Sequence, residues 1–235
     1  MEGLIDTDVV ILAGGVGSRL GELSVNTPKP MQKILGTPFL EYLLNYLVSF
    51  NFKKIILSVG YRSESIIDYF GDTYKDTKII YSTEDEPIGT GGAIKKAISL
   101  ISSNEFFVLN GDSYLEHDLN GMFKLFRKYK KNILSAVKLK NCSRYGVLEL
   151  RNKKIVSFTE KKISTSGYIN AGCYLLDKSI LTFFDNHKFS FEEWMMKNIN
   201  DVEFYVYKNN KNFIDIGIPD DLQKAENFFK LLNLN

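Results

Sequence analysis

Cysteine and histidine are scarce in this sequence of 235 residues, which contains two of each. Cys142 and Cys173 do not form a Cys-x-x-Cys pair, and His117 and His187 are isolated along the chain. Zinc sites and disulfide frameworks need closely spaced sets of such residues, so the sequence argues against both. The low number of cysteines favours a reducing compartment, and we therefore expect a cytoplasmic protein.

An excess of charge of one sign is also missing. Thirty basic and 28 acidic side chains leave a net charge of +2, which does not supply the extended positive field that steers proteins onto nucleic acid. There is no apolar run of about 18 residues, the length that a membrane-spanning helix requires. Met1–Asp8 lacks the basic and apolar parts of a secretory signal. We expect neither nucleic acid nor a membrane among the partners.

The composition that is present is typical of a globular α/β protein, with 44% apolar and 25% charged residues. In the first half, short apolar runs alternate with segments of helical spacing, which predicts a mainly parallel, Rossmann-like sheet flanked by helices. The predicted strands are 8–12, 53–59, 78–82 and 105–109, and the predicted helices are 38–50, 64–70, 92–101 and 118–130. Ligands of such sheets bind beyond the carboxyl ends of the strands, where Gly14–Gly17 and Asp112 fall.

The second half of the chain has a different pattern. Strand-like segments follow one another at 133–138, 146–151, 154–158, 167–176, 204–207 and 212–216, and a closing helix is predicted over 219–232. We interpret this half as antiparallel strands that complete a mixed sheet and form a small β-rich lobe. No internal repeat is evident, and we predict one domain over residues 1–235.

A glycine-rich loop follows the first predicted strand. It reads Leu12-Ala-Gly-Gly-Val-Gly-Ser-Arg-Leu20 and precedes Pro28-Lys29-Pro30. Glycines let backbone amides converge on phosphate oxygens, and Arg19 and Lys29 supply positive charge. A dinucleotide loop is disfavoured because Leu20 replaces the third glycine of its motif, and a Walker loop is disfavoured because no Gly-Lys-Ser/Thr follows. A glycine-rich turn with an incidental arginine remains the alternative.

This loop and five later segments together resemble the sugar-1-phosphate nucleotidylyltransferase family. The later segments, in order, are Gly89-Thr-Gly-Gly-Ala93, Asn110-Gly-Asp112, Phe158-Thr-Glu-Lys161, Asn170-Ala-Gly172 and Asp215-Ile-Gly217. The resemblance extends over nearly the whole chain, about residues 8–229. It differs at Lys162, where many relatives have proline.

The resemblance implies a fold similar to that of GT-A enzymes and a reaction that joins a nucleoside triphosphate to a sugar 1-phosphate. Residues 1–130 would form the nucleotide-binding half and 131–235 the half that binds the sugar phosphate. Within the family the sequence is most similar to bacterial guanylyltransferases that make GDP-heptose from GTP and D-glycero-α-D-manno-heptose 1-phosphate for surface glycans. The alternatives are mannose 1-phosphate as the sugar phosphate and UTP, CTP or dTTP as the triphosphate. The resemblance also allows a homodimer.

Site residues are carried over from the resemblance position by position. Arg19, Lys29 and Lys161 are the expected catalytic residues. Asp112 and Asp215 are expected to bind Mg²⁺, which prefers oxygen ligands, whereas Asp220 and Asp221 are expected to cap the last helix. The nucleotide is expected to contact Leu12, Ala13, Gly14, Gly15, Gly17, Ser18, Arg19, Glu84, Gly89, Thr90 and Gly111. The sugar phosphate is expected to contact Tyr145, Gly146, Glu160, Lys161 and Asn170.

Glu84 indicates which nucleotide base the protein recognises. It lies where family members that use pyrimidine nucleotides commonly have glutamine. A carboxylate can accept both donors of guanine, the N1–H and the amino group, whereas uracil and thymine present one donor between two acceptors. The sequence therefore favours GTP, although a solvated charge in an acidic loop is the simpler alternative.

Two other functions are compatible with this type of fold, a non-catalytic binding module and a glycosyltransferase. A non-catalytic binding module with this fold would be expected to lack the charged phosphate-binding residues, which are present here. A glycosyltransferase would be expected to carry Asp-x-Asp, where this chain has Asp112-Ser-Tyr114. His117 and His187 are predicted to lie on the surface, and Trp194, Met195 and Met196 are predicted to pack in the core.

Overall fold

The computed structural model of the protein describes residues 4–159 and 166–232. The strands among these residues are β1 (Asp8–Leu12), β2 (Lys33–Ile34), β3 (Thr37–Pro38), β4 (Lys54–Val59), β5 (Thr73–Tyr74), β6 (Thr77–Thr83), β7 (Glu105–Asn110), β8 (Ser113–Tyr114), β9 (Asn132–Leu139), β10 (Val147–Arg151), β11 (Lys154–Thr159), β12 (Gly167–Asp177), β13 (Phe204–Asn209) and β14 (Ile214–Asp215). The helices are α1 (Leu23–Asn26), α2 (Phe39–Val48), α3 (Ser63–Phe70), α4 (Gly89–Ala97), α5 (Leu119–Tyr129), α6 (Phe191–Lys197) and α7 (Pro219–Leu232).

The parallel part of the main sheet is formed by β7, β1, β4 and β6 in that order. Alternate residues of β1 face opposite sides: Val9 and Ile11 pack in one hydrophobic cluster, and Val10 packs in another together with Ile94 of α4. Both faces of the strand are therefore buried, which explains its uninterrupted apolar sequence. The predicted sheet with helices on both faces is confirmed.

The β-rich half continues the same sheet. Strand β12 is antiparallel to β7 and to β9, and β13 is parallel to β9. The pairing of β12 with β9 shifts between Asn170 and Tyr174, and beyond this irregularity Ile169 of β12 also pairs with Val147 of β10. Because β10 is in turn joined to β13 through β11, these strands curl towards one another and leave a concave surface beside the end of β7.

The glycines of the Gly89–Ala93 motif explain a difference between the predicted and observed helix boundaries. The sequence predicts a helix from residue 92, but α4 begins at Gly89. A Cβ added at Gly91 would lie 2.1 Å from the ring of Phe189, and one at Gly92 would lie 2.4 Å from the carbonyl oxygen of His187. Glycine is therefore required inside this helix by the segment packed against it, and not as a helix breaker.

The last helix brings the end of the chain back to the sheet. Helix α7 spans the predicted residues, and Phe229 packs against Phe39 and stacks on Tyr42 of α2. This packing places β14 antiparallel to β8, with Asp215 opposite Ser113. Among the residues that the structure describes, no helix has both the length and the hydropathy needed to cross a membrane.

Candidate active site

Two adjoining cavities open at the carboxyl ends of the central strands. The small cavity has a volume of about 230 Å³ and lies under the glycine-rich loop, and the large cavity has a volume of about 910 Å³ and lies over the β-rich half. Asn110 and Asp112, at and just beyond the end of β7, line both. A ligand in one cavity therefore meets a ligand in the other at these two residues.

Most of the residues predicted to bind nucleotide line the small cavity. They are Leu12, Ala13, Gly14, Gly15, Glu84, Gly89 and Thr90, and Lys29, which was predicted as a catalytic residue, lines the same cavity. Gly17, in the left-handed region with φ of 71°, starts the single helical turn Ser18–Leu20. Arg19 on that turn is exposed and lines the large cavity. Gly111 lines neither cavity, and its amide donates to the carbonyl oxygen of Leu12 at 2.9 Å.

Lys29 lies at the junction of the cavities. The residue is only 7% exposed, and its Nζ lies 2.5 Å from Oδ2 of Asp112. Pro28 is extended and leads into the short turn Lys29–Met31, which fixes the backbone from which this side chain projects. The ion pair neutralises a carboxylate and holds a cation beside it, an arrangement that also suits a bound phosphate group.

Glu84 is half-buried and faces the glycine-rich loop. Its Oε1 accepts from the hydroxyl of Ser58 at 3.2 Å, and its Oε2 accepts from the amide of Ile88 at 3.4 Å. A Cβ added at Gly14 would lie 2.9 Å from Oε1. Burial raises the pKa of Glu84, while the two hydrogen bonds and Lys96 act in the opposite direction. These contacts are inconsistent with the alternative of a freely solvated loop charge.

Asp112 and Asp215 lie side by side in the large cavity. Pairing of β8 with β14 puts Asp215 next to this part of the chain, and the amide of Ile216 donates to the carbonyl oxygen of Asp112 at 3.0 Å. Burial raises the pKa of Asp215, and the negative charges of Asp221 and Asp112 add to the effect. Two neighbouring carboxylates of this kind are hard oxygen donors that a divalent cation would stabilise.

Arg144 is a site residue that the sequence analysis missed. Its guanidinium contacts both oxygens of Asp221, at 2.8 and 2.7 Å, and donates to Asp215 at 3.3 Å. Asp221 was expected to cap α7, and it does accept from the amide of Ile218 at 3.2 Å. It is nevertheless 1% exposed, and its main partner is Arg144. The arginine next to Tyr145 was visible in the sequence, but its partner 77 residues away was not.

The residues predicted to bind the sugar phosphate lie partly in the large cavity. Tyr145, Gly146 and Asn170 line it, and the hydroxyl of Tyr145 donates to Oδ1 of Asp215 at 2.6 Å. Glu160 and Lys161 lie outside the described residues. The amide group of Asn170 donates to the hydroxyl of Tyr174 at 2.5 Å and accepts from the backbone amide of Gly172 at 2.9 Å, so its orientation is fixed from two sides.

Helix α6 contributes residues that the sequence analysis did not assign to a site. Glu192, Glu193 and Met196 line the large cavity. Met196 is 44% exposed, so the prediction that it packs in the core is wrong, whereas Met195 is fully buried as predicted. One side of the helix, with Phe191 and Met195, faces the core, and Met196 lies on the side that faces the cavity.

His117 also differs from its prediction. It was expected on the surface, but it is buried, and its Nδ1 lies 2.8 Å from the hydroxyl of Ser135. The same hydroxyl accepts from the amide group of Asn209 at 2.6 Å. Burial lowers the pKa of His117 to about 3, which keeps the ring neutral in the folded protein. His187 is exposed, as predicted.

The chain is similar to known nucleotide-transferring proteins over almost its full length. Residues 8–230 match the family model described as Nucleotidyl transferase. D-glycero-α-D-manno-heptose 1-phosphate guanylyltransferase of Aneurinibacillus thermoaerophilus is 40% identical over 222 residues, which are 93% of this chain and 96% of the relative. The protein of that name from Campylobacter jejuni is 41% identical over 214 residues, covering 90% of this chain and 95% of the relative.

A solved structure has the same fold. The structure of HddC from Yersinia pseudotuberculosis complexed with GMP-PN superimposes with a TM-score of 0.86 at 39% sequence identity. The match covers 95% of this chain and 99% of that one. The central sheet, its flanking helices and the β-rich half are therefore common to both proteins.

Proposed function

We propose that this chain, which belongs to the nucleotidyl transferase family, joins GTP to D-glycero-α-D-manno-heptose 1-phosphate and releases pyrophosphate. The product, GDP-heptose, would serve bacterial surface-glycan synthesis from the cytoplasm, where GTP is made. The names of the two relatives at about 40% identity support the choice of substrates. Residues of the site support the type of reaction.

The observation that carries the proposal is the pair of cavities with a shared wall. The small cavity has a glycine-rich loop and buried Lys29, which suit a triphosphate. The large cavity has tyrosine, asparagine and carboxylate groups, which suit the hydroxyls of a sugar. Asp112 borders both, so the α-phosphorus of a nucleotide and the phosphate of a sugar can meet beside it.

The chemistry requires alignment and charge stabilisation. A phosphate oxygen of the sugar 1-phosphate, already ionised, attacks the α-phosphorus, the new O–P bond forms, and the bond to the leaving pyrophosphate breaks. No general base is needed, because the attacking oxygen carries no proton that must be removed. Lys29 would stabilise charge at the α-phosphate, Arg19 and the amides of Gly14–Ser18 would hold the leaving pyrophosphate, and Lys161 would orient the incoming phosphate.

Asp112 and Asp215 fit the role of Mg²⁺ ligands. They offer hard oxygen donors next to each other. Burial raises the pKa of Asp215 and the charge of Asp112 adds to the effect, so a bound cation would favour the ionised pair. No group of three or more His, Cys, Asp or Glu side chains suited to a metal occurs within residues 4–159 and 166–232. The remaining ligands would come from phosphate oxygens and water, and the bound ion would offset charge that develops during transfer.

A matrix of substrates tests the proposed function. The purified protein is incubated with GTP, ATP, UTP, CTP or dTTP, each with D-glycero-α-D-manno-heptose 1-phosphate, mannose 1-phosphate or glucose 1-phosphate, and pyrophosphate release is measured in the presence of Mg²⁺. We expect the highest kcat/KM for GTP with the heptose phosphate. A higher value for mannose 1-phosphate would overturn the choice of sugar, and absence of turnover with every pair would identify a non-catalytic binding module.

A further inference from the structure

A chain of hydrogen bonds crosses the protein between the two cavities. It starts at Thr90 of α4 in the small cavity, passes through Glu192 of α6 and Tyr174 of β12, and ends at Asn170 in the large cavity. We call these four residues the bridge. They come from three elements, and Thr90 and Glu192 are 102 positions apart in the sequence.

Glu192 is the branch point of the bridge, because one carboxylate oxygen contacts Thr90 of the small cavity and the other contacts Tyr174, which in turn holds Asn170 of the large cavity. Oε2 accepts from the hydroxyl of Thr90 at 2.8 Å and from that of Ser190 at 3.1 Å. Oε1 accepts from the hydroxyl of Tyr174 at 3.3 Å. All three hydroxyls donate to Glu192, and an ionised carboxylate accepts at both oxygens, whereas a side-chain amide accepts at only one.

The two ends of the bridge have little freedom to move independently. The hydroxyl of Thr90 also accepts from the amide of Phe191 at 2.8 Å, which ties it to the start of α6. Tyr174 is fully buried, and its hydroxyl receives the amide group of Asn170 at 2.5 Å. Burial and the nearby Glu192 raise the pKa of Tyr174 well above its usual value, so the hydroxyl remains a donor to Glu192.

We propose that Glu192 is a positioning residue that couples the two half-sites, because it holds Thr90 and, through Tyr174, Asn170 in one hydrogen-bonded arrangement that a ligand at either end stabilises. The inference rests on the proposed function, because it assigns nucleotide to the small cavity and sugar phosphate to the large one. A ligand that restrains Thr90 also restrains the carboxylate of Glu192. Through the hydroxyl of Tyr174, it then restrains the amide group of Asn170. By linkage, the sugar phosphate then tightens nucleotide binding by the same factor.

Binding without turnover measures this coupling directly. The dissociation constant of an α,β-methylene analogue of GTP is measured by calorimetry with Mg²⁺, in the absence and in the presence of saturating heptose 1-phosphate. The ratio of the two constants is the coupling factor. We expect a ratio of about 5 or more for the wild type, at the lower end of typical couplings.

Two nearly isosteric substitutions should remove the coupling while preserving the fold. Glu192→Gln replaces one acceptor by a donor, and Tyr174→Phe removes the central hydroxyl although Tyr174 lines neither cavity. For both variants we expect the coupling ratio to fall to within about twofold of 1, the value without coupling, because each substitution interrupts the hydrogen bonds that connect Thr90 with Asn170. Thermal unfolding of each variant shows whether the fold is kept, and an overall loss of stability would not by itself change the ratio.

Glu193→Gln is the matched comparison. Glu193 carries the same charge into the large cavity one residue further along α6, but none of the bridge bonds involves its carboxylate. The variant should keep the coupling ratio, even if electrostatic effects alter the affinity for sugar phosphate. Loss of coupling in Glu193→Gln as well would assign the effect to charge and overturn the inference.

The remaining outcomes separate the inference from the proposed function. A wild-type ratio near 1, or an unchanged ratio in Glu192→Gln and Tyr174→Phe, overturns the coupling even if the wild type makes GDP-heptose. If Glu192→Gln raised only the dissociation constant of the sugar phosphate, Glu192 would contact the sugar phosphate directly, and the coupling would also be overturned. If the wild type turns over another triphosphate, the ratio is measured with the corresponding analogue, and if it turns over none, both proposals fail.

Discussion

Glu84→Gln tests whether a carboxylate in the small cavity selects guanine. In the protein, the two oxygens of Glu84 accept from Ser58 and Ile88 at 3.2 and 3.4 Å, which are long hydrogen bonds. Each oxygen therefore has capacity for a second, stronger donor. Glutamine preserves the shape and one acceptor, but it turns an NH₂ group towards one of the two donors of guanine.

The magnitude follows from the loss of a hydrogen bond to a charged group. Such a bond contributes about 1.5–3 kcal/mol, so kcat/KM for GTP should fall about 10- to 150-fold. UTP and dTTP present a single N–H between two carbonyls, which an amide can match. Their kcat/KM should remain unchanged or rise, and the preference for GTP should shrink by the full factor.

Stability should change in the opposite sense to activity. The folded-state pKa of Glu84 is raised above its reference value of 4.5 by burial. Its contribution to the free energy of unfolding is therefore largest below pH 4.5 and decreases as pH rises through the folded value. At pH 8 the ionised carboxylate is a cost that glutamine does not carry, so Glu84→Gln should unfold at the same temperature as the wild type or higher.

The assay compares kcat/KM for GTP, UTP and dTTP at pH 8, with thermal unfolding measured in the same buffer. Asp85→Asn is the control, because the neighbouring Asp85 side chain is 99% exposed and undergoes the same loss of charge. It should leave the selectivity unaltered. Equal losses with all three triphosphates in Glu84→Gln, or the same change of selectivity in Asp85→Asn, would refute the assignment of base recognition to Glu84.

Four further substitutions have defined outcomes. Asp112→Asn should lower kcat by about 100-fold or more, with nucleotide affinity in the absence of Mg²⁺ unchanged in calorimetry; unaltered kcat would remove this residue from the metal site. Lys161→Ala should raise KM for the sugar phosphate but not for GTP, and a collapse of GTP affinity would contradict the division into half-sites. His117→Gln should flatten the pH dependence of the free energy of unfolding. Burial lowers the pKa of His117 from 6.5 to about 3, so the stability of the wild type is complete above pH 6.5 and decreases as the pH falls. Urea titrations should show a loss of about 2 kcal/mol at about pH 5 in the wild type that the variant does not share. Gly91→Ala forces a methyl group against the ring of Phe189 and should cost about 1–3 kcal/mol of unfolding free energy, and an unchanged melting temperature would contradict that packing.

The parallel part of the fold could be predicted from the sequence because its strands are buried on both faces. Segments such as Asp8–Leu12 and Glu105–Asn110 are continuous apolar runs, and each ends in glycine or polar residues. The closing helix was equally evident from Pro219 at its start and its apolar spacing. These patterns are local, so they can be recognised without knowing which other segments each one contacts.

Features that depend on distant partners could not be predicted. The sequence shows three glycines in Gly89–Ala93, but not that Phe189 packs against Gly89 and Gly91 and His187 against Gly92. Likewise the charges of Arg144 and Asp221 are visible, whereas their pairing across 77 residues depends on the tertiary fold. The same holds for Glu192, because two of its hydrogen-bond donors, Thr90 and Tyr174, belong to other elements of the fold.

The pairing of β8 with β14 sets the order in which the site can be completed during synthesis. Asp112 follows a strand of the first half of the chain, but its neighbour Asp215 is held in place by β14 and by the clamp between Arg144 and Asp221. Chains emerge from the ribosome with the amino-terminal part first. A nascent chain therefore contains the glycine-rich loop and Lys29 long before it has the second carboxylate, and the pair Asp112 and Asp215 is complete only after β14 has been translated and has paired with β8.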